Sequence, residues 1–368
     1  MDTATQAARR LAGRLAFVVI STAIAVVFSE KIYWYIQGYR EGFILELLWV
    51  YLAPTVACLW AIEHFHVRRL APFLLCGAFF GFMVEGVIVP VIYKGGHWDW
   101  FSISYTPMAW HGPITIFLGW YYLRRGLIGQ GWKKLVAVCV LFGLFWGVWS
   151  LYYWLPRNLT DPKHLEEGWR LGMWPVQDFA VFAFLCTTVL VVAQMLLGAG
   201  LWVKEFRPSL VEKLLVLWVG FWWFMKMSAA NGNGQIEILL PPIILITFAA
   251  LRAHQWAETG PTLYEELAGK VRLHRVLLLY CMPAVAVLAY GLAAVLRPSD
   301  QVIEAVTIYG IILPETVLGW ILYLGAVLVC FARGAKMLLA YVRQGENAMR
   351  PPLQAEAACA SASDREGR

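Results

Sequence analysis

Apolar residues fill long windows of the chain and polar residues gather in short groups between them. Windows of about 20 residues holding at most one or two ionisable groups match the length that crosses a hydrocarbon core of ~30 Å at ~1.5 Å rise per residue. Ten are read: 12–36, 43–62, 70–93, 103–123, 135–155, 175–203, 213–229, 236–252, 276–296 and 305–332. The expected fold is all-α: a polytopic membrane helix bundle of about ten transmembrane helices over 1–333, then a tail at 334–368 that is largely disordered after Pro351-Pro352. Arg9, Arg10 and Arg14 precede an apolar run that continues past Ala23-Ile24-Ala25 to Ile36, so an uncleaved first helix is expected rather than a signal peptide.

Composition agrees with the pattern. Of the 368 residues 60% are hydrophobic and 15% charged, against roughly 25% charged in soluble domains. An ordinary cytosolic enzyme is thereby excluded. The formal charge of +6 is spread in small groups, with no basic stretch of the kind that grips nucleic acid, so no nucleic-acid partner is expected. Cys58, Cys76, Cys139, Cys186, Cys281 and Cys330 fall in apolar windows and Cys359 in the tail, without CxxC spacing; neither a metal site nor a disulfide framework is indicated. No cofactor motif is present, and the sequence specifies no oligomeric state.

Charge placement predicts orientation. Of the 30 Lys and Arg, 22 fall in one set of alternating loops and termini and six in the other, with Lys31 and Lys226 near helix ends. An excess that persists loop by loop places both termini in the cytoplasm, as for a protein of a cell inner membrane. With that orientation, Glu30, Lys31, Glu46, Glu85, Asp178, Lys226, Glu237, Glu304 and Glu315 all lie in the outer half, and His111 lies near the midpoint of the fourth window. A charge in hydrocarbon costs at least ~2.5–3.5 kcal/mol, so such groups face the bundle interior by default. They predict a polar, aromatic-lined cavity in the outer-leaflet half.

Spacing sharpens the candidates. Gly77, Gly81 and Glu85 recur every four residues, so the glycines admit a neighbouring helix on the face that presents the carboxyl. Pro107, His111 and Thr115 share a face of the fourth window, and Glu315, Gly319 and Tyr323 share one of the tenth. Glu85, His111, Asp178 and Glu315 are therefore the candidate catalytic groups, expected to converge on one cavity, though each is also read as a buried group bonded across a helix seam. Glu30 and Lys31, adjacent at a helix end, are expected to snorkel toward the headgroups. The loop Lys94-Gly95-Gly96-His97-Trp98-Asp99-Trp100 reads either as an interfacial anchor or as a lid. Trp98, Asp99, Trp110, Trp174 and Lys226 are the candidate substrate-binding residues. Lys226, beside Trp222 and Trp223, is read as a cation on aromatic rings, a partner of a carboxylate, or a snorkelling lysine.

The segment Gly168-Trp169-Arg170-Leu171-Gly172-Met173-Trp174-Pro175-Val176-Gln177-Asp178-Phe179 resembles the junction of heterodimer-type lycopene cyclases, where an outer loop leads through a P-x-E-(E/D) motif into an aromatic-rich helix. Here Gln177 stands at the first acid and Asp178 keeps the second. Leu313-Pro314-Glu315-Thr316 is a shorter echo. Glu85-Gly86 followed by Trp98, Trp100, Tyr105 and Pro107 to Trp110 is similar to the related carotenoid hydratases. The resemblance covers about 30 to 60 residues of the chain. It implies acid-initiated chemistry on an isoprenoid or carotenoid-like chain, without redox cofactor.

Residue chemistry points the same way by its own route. Protonating a polyene needs a buried carboxylic acid, and the carbocation that results needs aromatic faces. An enzyme acting on a lipid-soluble isoprenoid substrate, with membrane lipid as its surroundings, is one reading. A proton-coupled transporter is the second, since ten spans divide into two fives and buried Glu, Asp, His and Lys form proton relays. A non-catalytic membrane subunit is the third.

Overall fold

The computed structural model describes residues 3–33, 43–89, 91–93, 100–129, 131–155, 174–231, 235–256 and 262–344. Among them the chain is helical with no strand. Ten long helices are labelled in order: α1 (Thr3–Val26, continued by a π-helical turn, Val27–Lys31), α2 (Phe43–His64), α3 (Leu70–Met83, continued by a π turn, Val84–Ile88) and α4 (Trp100–Ile103, Ser104–Tyr122 and Leu123–Ile128 in one run). Then follow α5 (Trp132–Trp149), α6 (Val176–Leu196), α7 (Leu210–Asn231), α8 (Gln235–Gln255), α9 (Cys281–Leu296) and α10 (Leu313–Gln344).

Eight of the helical stretches are long and apolar enough to cross a membrane: Ala8–Lys31, Leu47–His64, Leu70–Ile88, Trp132–Trp154, Val176–Leu201, Ile238–Gln255, Leu273–Leu296 and Asp300–Arg343. The fourth and seventh expected spans form as helices but are not among the eight. In α4 the apolar run is broken by Ser104, Thr106, Pro107, His111, Pro113 and Thr115, and in α7 by Glu212, Lys213, Lys226 and three tryptophans. The tenth expected span is part of a much longer helix. From Asp300 it continues without a break to Gln344, past the expected tail boundary at 334, while the expected disordered segment beyond Pro351 lies outside the described residues.

The centre of the bundle is the α3–α4 pair. α3 packs against α4, α10, α2 and α8, and α4 against α10 and α1 as well. Accordingly 83% of the α3 window is buried, against 33% for α8. α5 and α6 flank α9, and α7 lies outside α2, α8 and the π turn of α3. Without a hydrophobic force between helices in lipid, small residues that let backbones meet decide who packs with whom. A methyl group on Gly77 would stand 2.9 Å from the Cα of Gly112, and one on Gly81 would overlap the Pro107 carbonyl. Gly143 and Gly147 of α5 meet the backbone carbonyls of Met282 and Ala286 on α9 in the same way.

Three helix segments around this centre widen to i→i−5 hydrogen bonding. The Ile32 N–H donates to Val27 O at 2.9 Å, the Val89 N–H to Val84 O at 2.8 Å, and the Leu123 N–H to Leu118 O. In α4 the cause is visible in the sequence: Pro107 and Pro113 lack an N–H and their rings collide with the carbonyl one turn back. Such wide turns occur often at functional sites. Here they carry Ser29, Glu85, His111 and Thr115.

Candidate functional site

Where α3 ends and α4 begins, polar side chains from four helices meet. Glu85 Oε1 and His111 Nε2 are 2.9 Å apart, with His111 2% exposed and Glu85 buried. On the far side of the ring, His111 Nδ1 lies 3.1 Å from Ser29 Oγ, which in turn lies 3.1 Å from Thr115 Oγ1. One proton arrangement satisfies every atom of the chain. With Glu85 ionised, Nε2–H donates to it, Nδ1 accepts from the Ser29 hydroxyl, and Ser29 accepts from Thr115. Tyr51 of α2 donates a short hydrogen bond to Glu30 and lies with Phe80 against the His111 ring, at 6.5 and 5.7 Å between centroids. Glu30 interacts electrostatically with Glu85 and Lys31. Two carboxyls, a lysine and an imidazole are thus gathered at the centre of an apolar bundle, where charges are screened least.

An aromatic wall flanks the cluster. The Trp110 ring packs against Tyr33 and Trp149, at 4.6 and 5.3 Å, while its Nε1–H donates to Phe28 O. Tyr33 and Tyr105 share a hydrogen bond of 2.7 Å. Glu315 lies on α10, one residue before Thr316, in the helix that packs against α4. Both carboxyl oxygens of Glu315 are buried and find no hydrogen-bond partner among the described residues. The adjacent seam is tight: Ser104 Oγ donates to Thr316 O at 2.6 Å, tying α4 to α10.

The candidates named from the sequence therefore separate. Glu85 and His111 are bonded, Glu315 lies on α10 beside the Ser104–Thr316 seam, and Trp110 belongs to the wall. Asp178 occupies the first turn of α6 and is half-buried. Trp174, just before α6, has its backbone N–H donating to the Tyr290 hydroxyl of α9 at 2.9 Å, and its ring meets Phe182. Lys226 rests over Trp223 and Trp222, at 4.6 and 5.3 Å from their centroids, the first of its three expected arrangements. Trp98 and Asp99 lie outside the described residues. Lys31 does not snorkel: it is 3% exposed, because the π turn directs it into the bundle toward α6. Ser29 and Tyr51, which no motif marked, complete the cluster. Their signal is level rather than pattern, since both fall at the same depth as Glu30 and Glu85 in windows of opposite direction.

Two cavities lined by described residues lie away from this cluster. One of about 580 Å³ opens between α2, α3, α7 and α8, with Phe79, Met83 and Val87 as its α3 wall and His64 its only titratable lining residue. A second, of about 410 Å³, is walled by Trp49, Trp218, Trp222 and Trp223, with Arg14 and Glu212, joined at 2.9 Å, at its rim. Among the described residues no group of three or more His, Cys, Asp or Glu is placed to hold a metal ion.

No family model matches the chain, and no curated protein or solved structure shows significant similarity to it.

Proposed function

We propose that the protein crosses the inner membrane ten times with both termini in the cytoplasm, and that it is an enzyme using Glu85, His111 and Glu315 for acid–base chemistry on a lipid-soluble, isoprenoid-type substrate. The observation that carries this reading is the buried Glu85–His111 pair, held by Ser29 and Thr115 beside an aromatic wall. α4 and α7 then count as spans despite their polar residues, since α4 is covered by protein on most sides and the alternation of basic loops requires both.

In this reading Glu315 gives its proton to a double bond of the substrate. The π electron pair forms the new C–H bond, and the positive charge left on the neighbouring carbon faces Trp110, Tyr33 and Tyr105, whose rings attract cations. Glu85 and His111 then take a proton from a carbon next to the charge, which moves the double bond, or from a water that adds to the cation. For a ring, a second double bond of the chain first gives its π pair to the cation as the new C–C bond, and the proton is taken beside the charge this leaves. The proton count balances and no electrons enter or leave. Resemblance to lycopene cyclases and carotenoid hydratases suggests this class of chemistry, although Asp178, the acid kept in the resembled motif, stands apart from the pair.

A proton-coupled carrier is the second reading, favoured by the chain of hydrogen-bonded groups. Against it, those groups collect at one end of the bundle, whereas alternating access needs a path from both sides. The test is product formation from a linear polyene supplied to membranes holding the wild type or Glu85→Gln. Conversion lost in the variant at unchanged protein level supports the enzyme. No conversion by the wild type, together with proton flux in proteoliposomes that Glu85→Gln abolishes, establishes the carrier.

A further inference from the structure

At the opposite end of α3, about 22 Å from Glu85 along the helix axis, three arginines surround a cleft of about 340 Å³: Arg68 and Arg69 before α3, and Arg125 at the end of α4. Tyr121 and Tyr122 also line it, and Glu266 is the one acidic residue among the described residues that do. Three positive groups thus face a single negative one. The Arg125 guanidinium is positioned by a 2.6 Å hydrogen bond to Tyr121 Oη. Arg68 is the informative residue. Its Nε and Nη1 are buried and find no acceptor among the described residues, although a buried guanidinium N–H without an acceptor is costly. Leu70 opens α3 here, so the positive end of the helix dipole adds to the field, and the Arg69 side chain makes no cap to the helix.

We propose that this cleft binds a phosphate-bearing anion. A tetrahedral phosphate presents several oxygens in different directions, which suits donors arriving from Arg68 before α3 and Arg125 at the end of α4, in a way that the single plane of a carboxylate does not. Leu70, Phe73 and Phe117 give the cleft an apolar floor, so the phosphate is one that carries an organic or lipid group. The anion is either the headgroup phosphate of an anionic lipid or that of a soluble phosphate ester. The site is separate from the Glu85–His111 cluster and its occupancy does not depend on what that cluster does.

The experiment uses the full chain in detergent, with phosphatidylglycerol and inorganic pyrophosphate as probes, followed by native mass spectrometry and calorimetry. At least one probe binds the wild type. Arg68→Gln with Arg125→Gln weakens it tenfold or more, while Lys133→Gln with Lys134→Gln, exposed cations outside the cleft, leaves it within twofold. Binding of phosphatidylglycerol alone identifies the lipid headgroup, binding of pyrophosphate alone a soluble phosphate as the source, and mutual competition a cleft that accepts both. Absence of binding by either probe, or equal weakening in the two double variants, overturns the proposal. Should the double arginine variant not fold, Arg68→Lys, which keeps the charge but not the guanidinium, is read instead: a loss of severalfold supports the site and an unchanged affinity refutes it.

Discussion

The face of α3 that carries Gly77, Gly81 and Glu85 meets α4 at backbone contact, whereas the face that carries Phe79, Met83 and Val87 stands off from α7 and α8 and lines a cavity of about 580 Å³. The two sets are offset by two residues, about 200° around the helix. Both are largely buried, on opposite sides of one helix. What separates them is side-chain size. Where the side chain is a hydrogen, α4 comes close enough for a carboxyl on one helix to reach an imidazole on the other. Large side chains on the opposite face hold the neighbours away and leave room for an apolar molecule. Close packing and chemistry therefore go together on one face, and space without chemistry is found on the other.

Substitutions that exchange the properties of the two faces should have unequal effects. Gly81→Leu places its Cβ against the Pro107 carbonyl, backbone that cannot rotate away, and is expected to destabilise by about 3 kcal/mol or more, at the upper end of overpacking costs. Val87→Leu adds one methylene toward the cavity and should cost less than ~1.5 kcal/mol. Thermal unfolding in detergent, followed by tryptophan emission, reads both. Equal shifts would remove the distinction.

Within the polar face, His111→Ala leaves the Glu85 carboxyl and the Ser29 hydroxyl without their partner and is expected to cost ~1–3 kcal/mol. A double-mutant cycle with Glu85→Ala should return a coupling of ~0.5–3 kcal/mol, and a coupling near zero would mean that the two groups do not share a proton-bearing bond. Tyr51→Phe removes the hydrogen bond to Glu30 and the interaction of the hydroxyl with Ser29, for which ~1 kcal/mol is expected. On the outer surface of the bundle, Lys226→Gln loses its contact with Trp222 and Trp223 and should change stability by ~0.5–1 kcal/mol. A larger effect at Lys226 than at His111 would reverse the order of importance drawn from burial.

How much of this was legible in the sequence follows from the same contrast. Long apolar windows and the glycine repeat on α3 need only composition and spacing, and both were readable. Glu85 and His111 could be named because ionisable groups in such windows stand out. Their pairing could not, since it depends on α4 being widened by Pro107 and Pro113 and on its register against Gly77 and Gly81. Asp178 looked equivalent to Glu85 by depth, yet depth does not say which helices a span meets, and α6 packs on α9 and α1 rather than between α3 and α4. Lys31 failed as a snorkelling lysine for a local reason: the π turn that ends α1 rotates it from the lipid side to the interior. Ser29 and Tyr51 carry no charge and lie in windows full of similar residues, so only the fold selects them.

The claim that the α3–α4 pair, rather than the acid retained in the cyclase-like motif, carries the chemistry can be tested by one comparison. Membranes holding Glu85→Gln or Asp178→Asn at equal protein level are supplied with the same linear polyene, and product is measured beside the wild type. Loss of product in Glu85→Gln with most of it retained in Asp178→Asn is the expected result. Product retained in Glu85→Gln and lost in Asp178→Asn would contradict the account and move the reaction to the α6–α9 seam.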